Sequence, residues 1–261
     1  MSTVAQFLEP SLTHTQCILG VHVAASSYDE TIRSCLAWGE RRQSRALVFA
    51  NVHVIMEASD DPTFRDRLNM ADMVNPDGVP LVWMLRALGQ RTAQRVYGPD
   101  LTLALLAAAE NAGISVGFYG GSPHVLDALT RVVSARHPHL KIAYTESPPY
   151  RPLTCEEDEA VIERIVASGV QLLFVGLGCP KQEIWVTDHR GKVPAVMLAV
   201  GAAFDFIAGT KPQAPRWMMR SGLEWAFRFA TEPRRLGKRY LKHNPRFIAL
   251  MFLQLLSLSK G

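Results

Sequence analysis

Short runs of apolar and β-branched residues alternate along the chain with longer stretches whose apolar positions recur at helical spacing. The short runs read as strands at Ile18–Val23, Ala46–Asn51, Met73–Asn75, Ile114–Tyr119, Lys141–Tyr144, Gln171–Val175 and Ala195–Val200. Between them the pattern predicts helices around Tyr28–Arg42, His53–Ala58, Pro62–Asn69, Pro80–Leu88, Leu101–Asn111, from Ser122 to about Arg136, Thr154–Ala167 and Lys181–His189. Pro80 suits a first helical turn. Thr154 with Glu157 three residues on is a capping-box pattern. This alternation predicts an α/β fold: a Rossmann-like, mainly parallel sheet with helices on both faces. After Phe206 no further strand is evident. Helical segments follow at 215–231, 233–242 and 245–258, separated by Pro233 and Pro245. The predicted organisation is an α/β domain over 1–209 and a helical appendage over 210–261.

Charge sharpens that division. Residues 1–210 hold 17 Lys and Arg against 22 Asp and Glu, whereas 211–261 hold 11 against 2. So basic an appendage suggests an anionic partner: nucleic acid, an anionic membrane surface or a phosphorylated ligand. At 48% hydrophobic and 20% charged, the chain is neither disordered nor fibrous. Its cysteines, at 17, 35, 155 and 179, form no CxxC, and no signal peptide opens the chain; a reduced, cytoplasmic protein is expected. No run of about 18 apolar residues predicts a membrane span. The apolar stretch Phe247–Leu253 reads as a core helix, an oligomer contact or a segment lying on a membrane.

Ligands of open α/β sheets bind beyond the carboxyl ends of the strands. The loops there read Ala50-Asn51-Val52-His53, Asn75-Pro76-Asp77-Gly78, Tyr119-Gly120-Gly121-Ser122, Gly176–Gln182 and Gly201–Asp205. Glycine at a strand-to-helix junction lets backbone N–H groups meet an anion at a helix N-terminus. A phosphate-bearing ligand is therefore expected, with ordinary tight turns as the plain alternative. The dinucleotide GxGxxG fails, because Lys181 stands where the third glycine belongs, and no GxxxxGK[ST] occurs. DxD and HExxH are absent too, so Arg, Lys and helix N-termini are expected to neutralise phosphate.

Asp77 is a candidate general base, with a helix cap or turn as its alternative; a helix N-terminus would lower its pKa. Asp205 binds a ribose or sugar hydroxyl, or caps local backbone. Asp100 reads as a helix N-terminal residue. Asn51 and Gln182 each suit a ligand contact or a plain structural role, and Arg95 suits phosphate or an ion pair. Cys179, at a helix start, has a setting that lowers a thiol pKa, but no partner His marks it as a nucleophile.

Taken in order, six blocks resemble the WecG/TagA/CpsF family of glycosyltransferases. They are Asn51–His53, Ala71–Gly78, Arg95–Leu101, Gly176–Glu183, Gly201–Gly209 and a set running from Arg216-Trp217 through Gly222–Trp225, Arg228 and Glu232–Leu236 to Arg239-Tyr240. The resemblance implies an inverting, metal-independent enzyme that needs no cofactor. It takes a UDP-sugar donor and a polyprenyl-diphosphate-linked sugar acceptor, working at the inner face of the cell membrane in surface polysaccharide synthesis. It implies Asp77 as general base, with Asn51, Arg95 and Gln182 in the active site. The loops carrying Gly120, Gly121, Ser122, Gly178, Lys181, Gly201, Phe204 and Asp205 are expected to hold the donor. One departure matters: many members have Thr where this chain has Phe49.

Arg235 and Arg239 are four apart on one predicted helix face, and Arg228 precedes them. Arginine forks suit the acceptor diphosphate, the alternative being a solvated basic face. The remaining cations and apolar side chains suit an interfacial helix on anionic lipid, with a homo-oligomer contact as rival. The other classes considered are a nucleic-acid-binding protein, which lacks any recognised motif here, and a nucleotide-dependent oxidoreductase, which the missing third glycine disfavours.

Overall fold

A computed structural model describes residues 14–258, except the side chains of Arg220, Arg235 and Leu258. Six parallel strands form the central sheet: β3 (Arg45–Ala50), β4 (Met73–Pro76), β5 (Val116–Gly120), β6 (Ile142–Glu146), β7 (Leu172–Gly176) and β8 (Val196–Ala199), in the order β4-β3-β8-β7-β5-β6. The inner strands are apolar and buried almost throughout, as a sheet covered on both faces requires. Alternate residues enter opposite core layers. Val48, Tyr119 and Val175 face one layer, with α2 (Val52–Asp60), α3 (Pro62–Asn69), α4 (Val79–Ala87), α7 (Cys155–Ser168) and α8 (Lys181–Asp188). Leu47, Phe118 and Phe174 face the other, with α1 (Tyr28–Glu40), α5 (Gly98–Ala112), α6 (Pro123–Arg136) and α9 (Ala203–Ile207). The Rossmann-like expectation holds, and so does the capping box: Thr154 accepts from the Glu157 amide while the Glu157 side chain accepts from that of Thr154.

Three local expectations need correction. The strand predicted at Ile18–Val23 is a separate antiparallel hairpin, β1 (Thr15–Ile18) and β2 (Val21–Ala24), with Ile18 opposite Val21. Leu19 and Gly20 between them both have positive φ, 49° and 89°, the geometry of a two-residue hairpin turn. The helix predicted over 215–231 is two, α10 (Arg216–Arg220) and α11 (Glu224–Thr231), parted at Gly222 with φ 77°. The break predicted at Pro245 is absent: α12 runs from Pro233 to Leu258. Contacts on both sides of the proline tie the continuous helix to the rest of the fold. Lys242 and Arg246 both pair with Asp60, Phe247 is 2% exposed in the core, and Gln254 donates to the Cys17 carbonyl and accepts from the Leu19 amide.

Candidate active site

Because the six strands are parallel, the turns after β3, β4, β5, β7 and β8 share one edge. Asp77 lies there, just past β4. Its amide and that of Gly78 donate to the Ala50 carbonyl at the end of β3, which fixes the two loops together. Asp77 is no helix cap: Gly78 is the N-cap of α4 and no side chain caps that helix.

Arg95 organises the carboxylate. Its Nε donates to the Asp77 carbonyl and its Nη2 lies 3.3 Å from Asp77 Oδ1. The same Nη2 is 2.6 Å from Glu224 Oε2 on α11, and Nη1 donates to the Met219 carbonyl on α10 at 3.2 Å. The guanidinium also stacks over the Tyr97 ring, 4.3 Å from its centroid. One cation thus faces two carboxylates in a half-buried setting. Burial and the Glu224 charge outweigh Arg95 and push the Asp77 carboxyl up to about 7. The lowering expected from a helix terminus does not occur. Arg95 is committed to protein partners, which makes it a positioning residue for Asp77 and a bridge to the appendage. Tyr97 strengthens that bridge, since its hydroxyl accepts from Gln213 and its amide donates to the Tyr28 hydroxyl. The sequence pattern assigns Glu224 no role of its own. Its signal was nevertheless present: it is one of only two carboxylates in the strongly basic last 51 residues.

Asn51 and Gln182 take structural parts. Asn51 caps α2, its Oδ1 accepting from the His53 and Val54 amides. Gln182 is 5% exposed; its Oε1 accepts from the Gly178 amide, and its Nε2 donates to the Ala199 carbonyl and to Glu183. It therefore braces the loop after β7 against the end of β8. Glu183 beside it is 1% exposed, and burial raises its carboxyl to about 7. Burial, with Glu183 adjacent, raises the Cys179 thiol rather than lowering it, which corrects the expectation from its helix-start position.

The predicted donor residues divide by burial. Gly120 has φ 114°, and a Cβ there would lie 2.6 Å from the Gly176 carbonyl oxygen, so close strand approach explains it without a ligand. Phe204 is corrected to a core residue: it is 1% exposed, its ring meets Phe118 edge-on at 5.8 Å, and it fills the space beside Gly121 and Gly176. Gly178 differs from Gly120, being exposed, with φ 79° and open space where a Cβ would sit. Ser122 caps α6 and remains exposed, as does Lys181, whose ammonium lies 5.0 Å from the Tyr150 ring centroid. Gly201 turns beside Gln182 with φ 59°. Asp205 pairs with Lys211 at 3.0 Å and accepts from Thr210 at 3.2 Å, closing a local turn. Asp100 stands in the first turn of α5, as expected.

Arg228 stacks on Phe206 at 5.8 Å, lies within charge range of Asp77 and, with Lys211, lines a cavity of about 280 Å³ between α9 and α11. Arg239 has other neighbours: its own charge acts on His53 and Cys179. The Arg235 side chain lies outside the described residues, so the three-arginine cluster is not assembled on the described side chains. Phe49, at the departure from the family pattern, is 5% exposed and packs against Gly98. A broader, shallow cavity of about 750 Å³ lined by Ser44, Arg190 and Lys192 lies by the amino ends of β3 and β8, away from Asp77.

The candidate groups lie beyond the carboxyl ends of a parallel sheet in an α/β fold. Comparison with known proteins gives the family: the Glycosyl transferase WecG/TagA/CpsF family matches residues 16–261, and the chain belongs to it. It is a glycosyltransferase. A relative from Bacillus spizizenii, an N-acetylglucosaminyldiphosphoundecaprenol N-acetyl-beta-D-mannosaminyltransferase, is 31% identical over 197 residues, 75% of each chain.

Proposed function

We propose that the enzyme transfers an N-acetylhexosamine or related hexose from a UDP-sugar to a sugar carried on polyprenyl diphosphate, with inversion. The raised, half-buried Asp77 carboxyl at the carboxyl edge carries this reading. In its ionised form Asp77 takes the proton of the acceptor hydroxyl, whose oxygen bonds to the anomeric carbon as the bond from that carbon to the UDP oxygen breaks. The exposed Ser122 and Lys181, with the positive N-terminal ends of α6 and α8, offer a hydroxyl and charge to the departing diphosphate, while the Gly178 amide is engaged by Gln182. No DxD is present to hold a metal in that step, and phosphate charge falls to these groups and to Arg228 and Lys211. The acceptor class draws support from the Bacillus spizizenii relative, whose name states one.

Among the described residues no helix is long and apolar enough to cross a membrane. The outer side of α12 nevertheless exposes Ile248, Phe252 and Leu253 at 51%, 57% and 62%. Beside the cations of 211–261, this face suits peripheral binding to anionic lipid. The test is a UDP-sugar panel read by thermal shift, then transfer to a polyprenyl-diphosphate sugar with product mass and anomeric configuration. Stabilisation by UDP-sugars and a β product from an α donor are expected. Stabilisation by NAD(P) alone, or retention at the anomeric carbon, overturns the reading.

A further inference from the structure

One cluster lies outside the chemistry above, where α12 crosses α2. His53 and Glu57 stand four apart on one face of α2, and His243 reaches them from α12. His243 Nε2 is 3.2 Å from Glu57 Oε1, and His53 Nδ1 is 3.7 Å from the same oxygen. One ligand atom from each residue fits within 4.8 Å of the others. We propose that His53, Glu57 and His243 form a zinc-type metal site that clasps the C-terminal helix to the α/β core.

Geometry and donor chemistry both support it. Donors at about 2.0–2.1 Å from a tetrahedral ion lie roughly 3.3–3.4 Å apart, and the two measured separations bracket that value. Two imidazoles and one carboxylate suit zinc, cobalt or nickel and are a poor match for magnesium or calcium, which take oxygen ligands. Buried polar atoms normally have partners, yet His53 Nδ1, the atom that faces Glu57, is buried with no hydrogen bond among the described residues. An ion pair between His243 and Glu57 alone leaves His53 unexplained, whereas a shared ion uses all three residues. The nearby cations Lys242 and Arg246 pair with Asp60, at 3.0 and 2.6 Å, although their charges still reach the histidines. The third nearby cation, Arg239, acts against an ion here, so the site depends on the three ligands closing together. The ion is structural and takes no part in the transfer step. Its place matters because α2 begins directly after Asn51, at the carboxyl edge.

The test uses the full chain, stripped with chelator and titrated with Co²⁺ and then Zn²⁺. One ion per chain is expected, with visible Co²⁺ bands of tetrahedral intensity that Zn²⁺ displaces, and a melting temperature raised by Zn²⁺. His53→Gln, Glu57→Gln and His243→Gln are each expected to weaken binding at least about tenfold and to abolish the Zn²⁺-dependent rise in melting temperature. Should His243→Gln fail to fold, the half-buried His53→Gln and the wild-type titration still decide. Wild-type protein that takes up no Co²⁺ at millimolar concentration overturns the proposal. So does binding that is unchanged in the folded variants, which would place the ion on other histidines.

Discussion

Asp77, Arg95 and Glu224 behave as one electrostatic unit, in which a single guanidinium holds two carboxylates. Asp77→Asn should lower kcat by at least about 10²-fold, the usual range for a lost general base, with UDP affinity changed only a few fold. Steady-state rates beside UDP titration calorimetry check this, and near-wild-type turnover would remove Asp77 from its role. The wild-type rate should rise with pH on a limb near 7, since Asp77 must be ionised to accept a proton. Glu224 raises that carboxyl, so Glu224→Gln should move the limb to lower pH; an unmoved limb would separate Glu224 from the site. Glu183 gives a stability counterpart. Its folded carboxyl, near 7, is above its ordinary 4.5, so the native state binds more protons than the unfolded chain between those values and loses stability as pH rises through them. Glu183→Gln lacks this loss. Relative to wild type, the variant should gain on the order of 3 kcal/mol between pH 4.5 and 7, read from urea midpoints. Of the residues named from sequence, Asp77 was legible as a candidate carboxylate at the strand-end edge, with a helix cap as its alternative, and only the fold removes the cap, since Gly78 holds that position. Asn51 and Gln182 were legible as positions but not as parts, since only folded geometry shows their amides already engaged.

Among the elements, the β-strands and the helices of the α/β core follow from apolar runs, caps and prolines close in sequence. The hairpin at β1 and β2 was hidden because Ile18–Val23 is apolar enough to read as one strand, while its turn depends on positive φ at Leu19 as well as Gly20. Pro245 shows the opposite failure, a correct local rule overruled from a distance. It withholds one N–H from α12, but Asp60, the core around Phe247 and the hairpin backbone hold the helix on either side. Pro245→Ala should therefore restore a helical hydrogen bond without losing a contact. A stability gain of about 2 kcal/mol is expected, the proline's helical penalty of about 3 less the chain entropy it removes from the unfolded state. A loss of stability in denaturant titration would mean that the proline itself supports the helix.

Across the whole molecule, α12 has two apolar sides with different tasks. Phe247, 2% exposed, belongs to the core layer under α2, whereas Phe252, 57% exposed, faces outward. Equal truncations should therefore have unequal consequences. Phe247→Ala should cost about 3–5 kcal/mol of stability through cavity formation. Phe252→Ala should leave stability within about 0.5 kcal/mol and lower co-sedimentation with anionic vesicles. Equal vesicle binding by wild type and Phe252→Ala would remove the outer face from membrane contact. The buried anchors also mean that cutting the chain after Gly209 uncovers core, so point changes on the outer face are the cleaner probe of the appendage.

The sequence by itself determined the α/β class, the edge that carries the candidate site, the family resemblance and the basic character of the last 51 residues. Each of these depends on local periodicity, on the chemistry of strand-end loops or on summed charge. Tertiary structure alone decided which polar groups near the edge are already bonded, why the Asp77 carboxyl is raised, and that α12 is continuous across its proline. Those outcomes arise where residues far apart in sequence share one low-dielectric space: Asp77 with Arg95 and Glu224, and α2 with α12. Burial and pairing across such distances are set by the packed fold, and no single segment encodes them.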